Sequence, residues 1–334
     1  MRSRCPNASL IDTNTSTPSG LDEAAGFFTN LVAASPPSIC ARIALVCPYD
    51  AASIRTAHEA RVRYGLEVLL VGDERRIAAA ISAHGESNDD ASIVPVSGDD
   101  AAVAVGAVAL VRSGSANVLM KGAIHSDDFL RAAIDRNAGL RQSGRVMSHV
   151  FVCVPPREVY HKPLLVTDGA FNVAPDLAVK RDIARNAIVL AHALGIELPK
   201  VAVLAAVESV NPAMVATTDA AALSVMALRG QLGAAIVEGP LAFDNALSRD
   251  AAMAKGIDSR VAGDPDILLV PDIEAGNILY KQMVYFSRAL AAGIVLGASA
   301  PIVLTSRNEP LPARVASCAL ASALLNTTAH AANG

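Results

Sequence analysis

Near the C-terminus an apolar run, Pro301-Ile302-Val303-Leu304, ends on Thr305-Ser306-Arg307. Two hydroxyls and a guanidinium at the end of a strand can make an anion site. Arginine grips a phosphate through two parallel N–H···O bonds and stays charged at any working pH. In an open α/β sheet, ligands bind beyond the carboxyl ends of the strands, so the position suits the chemistry. Similar groups follow other apolar runs. Val118-Leu119-Met120 ends on Lys121-Gly122, and Arg141 and Arg145 stand in the loop before the run Met147 to Val154. Leu164-Leu165-Val166 ends on Thr167-Asp168-Gly169, and Ile267 to Val270 ends on Pro271-Asp272, with Asn277 and Lys281 close behind. Brought to one cleft, these cations, hydroxyls and small residues would suit a phosphorylated ligand. Left apart, they are the ordinary polar residues of loops. No GxxxxGKS/T stretch occurs, no GxGxxG follows the first strand, and there is no GxSxG elbow. No His/Asp/Glu group has metal-ligand spacing, so no metal is expected.

The elements that must position these groups alternate. Strands are expected at Arg42–Val46, Glu67–Gly72, Ser92–Val96 and Asn117–Gly122, with helices between them at Asp50–Arg63, Asp73–Ala83 and Asp99–Arg112. That alternation means βαβ units and a parallel sheet. A helix opening at Ser126, with Asp127 and Asp128 in its first turn, carries Arg131. Later helices are expected over Asp176–Leu194, Asp219–Leu228, Ala242–Gly256, Ala275–Ala291 and Pro312–Leu325, with a strand at Gly293–Leu296 and a frayed tail from Thr327. The 334 residues exceed one ordinary domain, and Pro155-Pro156 marks a boundary. The expected layout is an α/β chain with a disordered or loosely packed extension over 1–35. A first domain takes in 36–155 plus 298–334, and a second 156–297.

The net charge of −4 and a pI near 6.0 argue against nucleic acid as a partner. No apolar run is long enough to span a membrane. The stretch Met1 to Leu21 is rich in Ser, Thr, Asn and Pro and lacks the apolar centre of a secretory signal. Cys5, Cys40, Cys47, Cys153 and Cys318 are scattered, with no CxxC spacing. Reduced thiols and a cytoplasmic location are expected.

Several stretches then match a family in order. They are Leu119-Met120-Lys121-Gly122 with Phe129-Leu130-Arg131-Ala132, Arg145-Val146-Met147-Ser148-His149-Val150, and Thr167-Asp168-Gly169-Ala170-Phe171-Asn172 onward to Leu177. Further on come Glu238-Gly239-Pro240-Leu241 with Asp244, Pro271-Asp272 through Gly276-Asn277 to Tyr280-Lys281, and Thr305-Ser306-Arg307. Over roughly Arg42 to Leu325 the chain resembles the phosphate acetyl/butyryltransferases, the butyryl branch more than the short phosphotransacetylases. The resemblance implies a two-domain, three-layer αβα fold related to isocitrate and isopropylmalate dehydrogenases. It also implies an active site in the interdomain cleft and a homodimer. The implied reaction is acyl-CoA plus inorganic phosphate giving acyl phosphate plus CoA, with an acetyl, propionyl or butyryl group. CoA is then a substrate, not a cofactor.

By that resemblance Ser306 stabilises the transition state and Arg307 binds phosphate. Lys121, Arg131, Arg145, Asp272, Asn277, Lys281 and Thr305 are candidates for holding phosphate or CoA. Arg131 could instead pair with Asp127 or Asp135 across a helical turn, and Lys281 is otherwise a solvated helix-face residue. His149 reads as structural rather than as a base. In the short phosphotransacetylases an aspartate seven residues after the serine is the proposed base for CoA. Ala313 stands there in this chain, and Glu309 is the candidate substitute. Two other readings stand beside the transferase. One is a catalytically weak CoA- or acyl-phosphate-binding protein on the same fold, which Ala313 favours. The other is a metal-dependent dehydrogenase, for which only Asp264, Asp266 and Asp272 would serve.

Overall fold

The structure, a computed structural model, describes residues 19–34, 40–85, 92–306 and 308–333. Residues 1–18, 35–39, 86–91, Arg307 and Gly334 lie outside the described residues. The chain runs α1 (Ser19–Ala34), β1 (Arg42–Val46), α2 (Ala51–Tyr64), β2 (Glu67–Gly72), α3 (Glu74–His84), β3 (Ser92–Pro95), α4 (Asp100–Arg112), β4 (Val118–Lys121) and α5 (Ser126–Ile134). It continues through β5 (Ser148–Val154), β6 (Leu164–Thr167), α6 (Leu177–Ala193), β7 (Lys200–Leu204), α7 (Val215–Leu228), β8 (Ile236–Leu241), α8 (Phe243–Leu247) and α9 (Arg249–Ala254). The last elements are β9 (Ile267–Leu269), α10 (Ile273–Tyr285), β10 (Leu290–Leu296), β11 (Ile302–Val303) and α11 (Leu311–Asn333).

Aspartates start many of the helices. Asp50, Asp73, Asp99, Asp176 and Asp272 each accept the backbone N–H three residues on, which satisfies an orphan donor of the first turn. α2 stops where Gly65 takes up φ 65°, a left-handed conformation that glycine adopts at no cost.

The strands form one sheet in the order β3-β2-β1-β4-β11-β10-β5-β6-β9-β7-β8. β3, β2, β1, β4 and β11 run parallel to one another. β6, β9, β7 and β8 also run parallel, in the opposite sense. The reversal is carried by β5 and β10, which pair antiparallel over seven residues from Ser148↔Leu296 to Val154↔Leu290. Helices cover both faces, which gives the three-layer αβα arrangement. On one face a single apolar cluster runs the length of the sheet beneath α1, α2, α3, α6, α7 and α11. On the other face the apolar core is split. One cluster lies under α4 and α5 and another under α8, α9 and α10.

Four elements differ from expectation. The helix expected over Ala275–Ala291 ends at Tyr285, because Leu290-Ala291-Ala292 joins β10. An alanine-rich run has helical propensity, but seven paired residues in the centre of the sheet outweigh it. The helix expected over Ala242–Gly256 divides at Ser248, whose side chain caps α9. The extension is not loosely packed from Ser19 on. Ala24 and Phe28, spaced one helical turn apart, are buried where α1 lies on α11. The tail expected to fray from Thr327 continues α11 to Asn333.

Candidate active site

A cavity of about 500 Å³ opens where the two clusters of the split face part. One side is built from the ends of β4 and β11. Lys121, the last residue of β4, is only 2% exposed and borders the cavity. The Thr305 hydroxyl donates to the Lys121 carbonyl at 3.1 Å, tying the chain after β11 to the end of β4. Ser306 follows on the exposed rim. Gly122 permits this crowding, since a side chain there would collide with the Val46 carbonyl oxygen. The start of α5 closes the same side. His125 holds its cap position without a side-chain hydrogen bond, and Ser126, expected as the cap, is instead the first helical residue. Backbone N–H groups at an uncapped helix start favour an anion, and His125, Ser126 and Asp127 all border the cavity.

The other side comes from β5 and α10. Asn277 and Lys281 lie one turn apart on α10, and both face the cavity. Asn277 Nδ2 donates to the Gly169 carbonyl at 3.2 Å. The helix can lie this close because Gly276 lacks a side chain; a Cβ there would sit 2.6 Å from the Asp168 carbonyl oxygen. Tyr280, between them, stacks on Phe151 with ring centroids 3.6 Å apart and planes at 7°. Phe151 in turn packs against His149, two residues back on the same face of β5, at 4.2 Å.

Glu309 joins the two sides. The Tyr280 hydroxyl donates to its Oε1 at 3.2 Å. Burial pushes the Glu309 carboxyl up to about 6, against the opposing pull of Tyr280, the Ser306 backbone, Arg314 and Lys121. Burial also keeps the Tyr280 phenol protonated well above its usual range, so Tyr280 is the donor of that pair. A carboxyl with a pKa near 6 holds or releases a proton at neutral pH, as a general acid or base must. Ala313 is buried within α11, with no group to offer.

The structure brings Lys121, Asn277, Lys281, Thr305, Ser306 and Glu309 to one cavity. It does not bring three others. Arg131 turns outward, its side chain 77% exposed, and pairs with Asp128 at 3.3 Å. Arg145 borders a second cavity of about 280 Å³ between α6 and α11, on the continuous face. Asp272 is occupied in capping α10, accepting the Ala275 N–H at 2.9 Å. The aspartates considered for a metal are also occupied. Asp264 and Asp266 pair with Lys162 at 2.8 and 2.7 Å. Among the described residues no group of three or more His, Cys, Asp or Glu could hold a metal ion. Asp168 is buried at the centre of its own loop. Its carboxylate accepts the backbone N–H groups of Ala170 and Phe171 at 3.0 Å and of Asn172 at 3.2 Å, and the Asn172 side chain at 2.7 Å.

Sequence reasoning passed over Phe151, His125 and Asp127. The signal for Phe151 was available in the alternation of β5, where His149 and Phe151 must share a face. The other two could have been found by asking which helix start follows Lys121-Gly122.

Comparison with known proteins adds a family. Residues 97–322 match the family model described as phosphate acetyl/butaryl transferase. A phosphate acetyltransferase of Rickettsia felis is 43% identical over 308 residues, covering 92% of this chain and 87% of that one. A phosphate butyryltransferase of Clostridium acetobutylicum is 41% identical over 281 residues, covering 84% and 92%. Among solved structures, a branched-chain phosphotransacylase from Enterococcus faecalis superposes with a TM-score of 0.75 at 31% identity. That match covers 85% of this chain and 99% of the other.

Proposed function

The chain belongs to the phosphate acetyl/butyryl transferase family, and from that premise we propose that the cavity between the split clusters transfers an acyl group directly between CoA and inorganic phosphate. Acyl-CoA and phosphate are exchanged for acyl phosphate and CoA. A phosphate oxygen attacks the thioester carbonyl carbon, the C–S bond breaks, and the sulfur leaves with the electron pair. In the reverse direction the CoA sulfur attacks the carbonyl carbon of the acyl phosphate, its proton goes to the Glu309 carboxylate, the C–O bond breaks and inorganic phosphate leaves with the electron pair. Lys121 and the start of α5 hold the phosphate, joined by Arg307, the next residue in sequence after Ser306, as the family resemblance implies. Lys281, on the rim, is placed for the phosphates of CoA. The Ser306 hydroxyl donates to the oxyanion that develops on the acyl carbonyl. Holding both reactants in one cavity supplies alignment without a covalent acyl-enzyme.

The observation that carries this reading is the meeting of Ser306, Lys121 and Glu309 at one cavity, with the carboxyl pushed up to about 6. Ala313 favours a second reading, a CoA-binding protein with little turnover; Glu309 supplies the group that reading lacks. One assay separates them. CoA release is measured from acetyl-, propionyl- and butyryl-CoA, with and without phosphate, for the wild type and Ser306→Ala. Phosphate-dependent release that falls sharply in the variant is expected. No release from any acyl-CoA, with CoA still bound, would leave the binding protein.

The same reading includes a homodimer in the cytoplasm. α7 leaves Val215, Val225 and Leu228 exposed, Leu228 at 85%, an apolar surface that a second copy would cover. Cys47, Cys153 and Cys318 are free and buried, which suits a reducing compartment. No helix among the described residues is long and apolar enough to cross a membrane.

A further inference from the structure

His149 is fully buried on β5, yet neither ring nitrogen has a hydrogen-bond partner among the described residues. Its surroundings hold it firmly. The ring lies over Gly293 of the neighbouring strand, where a Cβ would come within 2.9 Å of both Cε1 and Nε2. Phe151 packs against one side at 4.2 Å. The Thr167 hydroxyl donates to the His149 carbonyl at 3.0 Å, fixing the backbone. The imidazole borders the cavity. Burial alone, with no charged neighbour contributing, pushes its pKa down to about 3, so the ring is neutral at working pH. A neutral imidazole carries one N–H donor and one acceptor. Buried polar groups are as a rule satisfied, and ring nitrogens with no protein partner beside a cavity leave a hydrogen bond for a water or a ligand to make.

The two sides of the cavity differ in character. Lys121, Ser306 and the start of α5 line one side and suit a phosphate. His149, Phe151 and Tyr280 give the other side an uncharged aromatic patch, with Lys281 on α10 beside it. A phosphate dianion would be poorly placed there, whereas a short apolar acyl group would be well placed. The acyl group also carries one strong acceptor, its carbonyl oxygen.

We propose that His149 is a catalytic residue that donates its ring N–H to the carbonyl oxygen of the acyl group, as a second oxyanion donor opposite Ser306. This rests on the transferase reading of the cavity. The donor is preorganised, because the packing of Phe151 and Gly293 leaves the ring no room to turn. It gains strength as negative charge grows on the oxygen, so it acts on the transition state more than on the bound substrate. CoA itself has no acyl carbonyl, so its binding does not involve His149.

The test is His149→Phe, which keeps a flat ring over Gly293 and removes the donor, beside His149→Gln, which restores an N–H. For each, kcat and KM are measured for acetyl-CoA and butyryl-CoA with saturating phosphate, CoA affinity by calorimetry, and the melting temperature. H149F is expected to lose roughly a hundredfold in kcat, with CoA affinity unchanged and a melting temperature equal to or above that of the wild type. H149Q is expected to recover part of the loss. A merely structural histidine would move the melting temperature and leave kcat in place. Should H149F not fold, His149→Ala carries the same comparison against H149Q. A folded donor-less variant with wild-type kcat, or a glutamine variant no better than the donor-less one, overturns the assignment. A wild type that releases no CoA from either thioester overturns this inference and the transferase reading together.

Discussion

Asp168 and Glu309 both stand in loops that follow strands, and burial pushes both carboxyls upward. Their surroundings differ. Asp168 is ringed by its own loop and accepts three backbone N–H groups and the Asn172 side chain, so its lone pairs are fully engaged. Glu309 is held by the Tyr280 hydroxyl and the Ser306 backbone, and otherwise borders the cavity. The first carboxyl builds a loop. The second is left with a proton it can exchange. Perturbation by burial is common to both; unoccupied lone pairs beside a cavity are what separate the carboxyl proposed as a base from the structural one.

The largest effect should fall on Glu309. Glu309→Gln removes the proton acceptor and is expected to lower acyl-CoA formation from acyl phosphate and CoA by 10²–10⁴-fold, read by steady-state kinetics. The same variant tests the cost of the burial. The folded chain holds the Glu309 proton to higher pH than the unfolded chain, between the ordinary 4.5 and about 6. Stability therefore falls as pH rises through that window. E309Q should remove this slope and be more stable than wild type above pH 6, by on the order of 1–2 kcal/mol, in urea titrations at pH 4.5 and 7.5.

Ser306→Ala should come next, at about 10²–10³-fold in kcat with little change in melting temperature. Asp168→Ala should do the reverse. It leaves buried N–H groups unpaired and is expected to lower stability by about 2–3 kcal/mol, with the residual folded fraction retaining activity. A D168A chain as stable as wild type would erase the contrast between the two carboxyls. Tyr280→Phe is a smaller change. It removes a hydrogen bond that pulls the Glu309 pKa down, so the acidic limb of the pH profile should move to higher pH while the stack on Phe151 persists. Arg145→Ala should be smallest, below twofold in kcat/KM, because Arg145 borders the other cavity, on the continuous face.

The sequence exposed much of the frame. β1 and β2 were readable residue for residue, since each is an apolar run followed closely by an aspartate that caps the next helix. β10 was not, because Leu290-Ala291-Ala292 has helical composition and becomes a strand only through its partner β5, well over a hundred residues away. The site divides the same way. The placement of Lys121, Thr305 and Ser306 was legible because strand ends meet at such clefts, and Glu309 entered through the family resemblance, as the acid that follows the Ser-Arg pair. Arg131 and Arg145 have the right chemistry, but their direction depends on how α5 and the loop before β5 pack, which residue type does not encode. His149 read as structural by type. Its open nitrogens follow from Gly293 on another strand and are visible only in three dimensions.

The most direct test of the central claim is the pH dependence of kcat/KM for acyl-CoA formation from acetyl phosphate and CoA, in the wild type and in E309Q. A phosphate acyltransferase that uses Glu309 as its base should gain rate through an apparent pKa of about 6 and level off above it, and E309Q should lose both the rate and the inflection. Equal activity in the two proteins, or the same inflection in E309Q, would contradict the assignment of Glu309 and of the cavity around it.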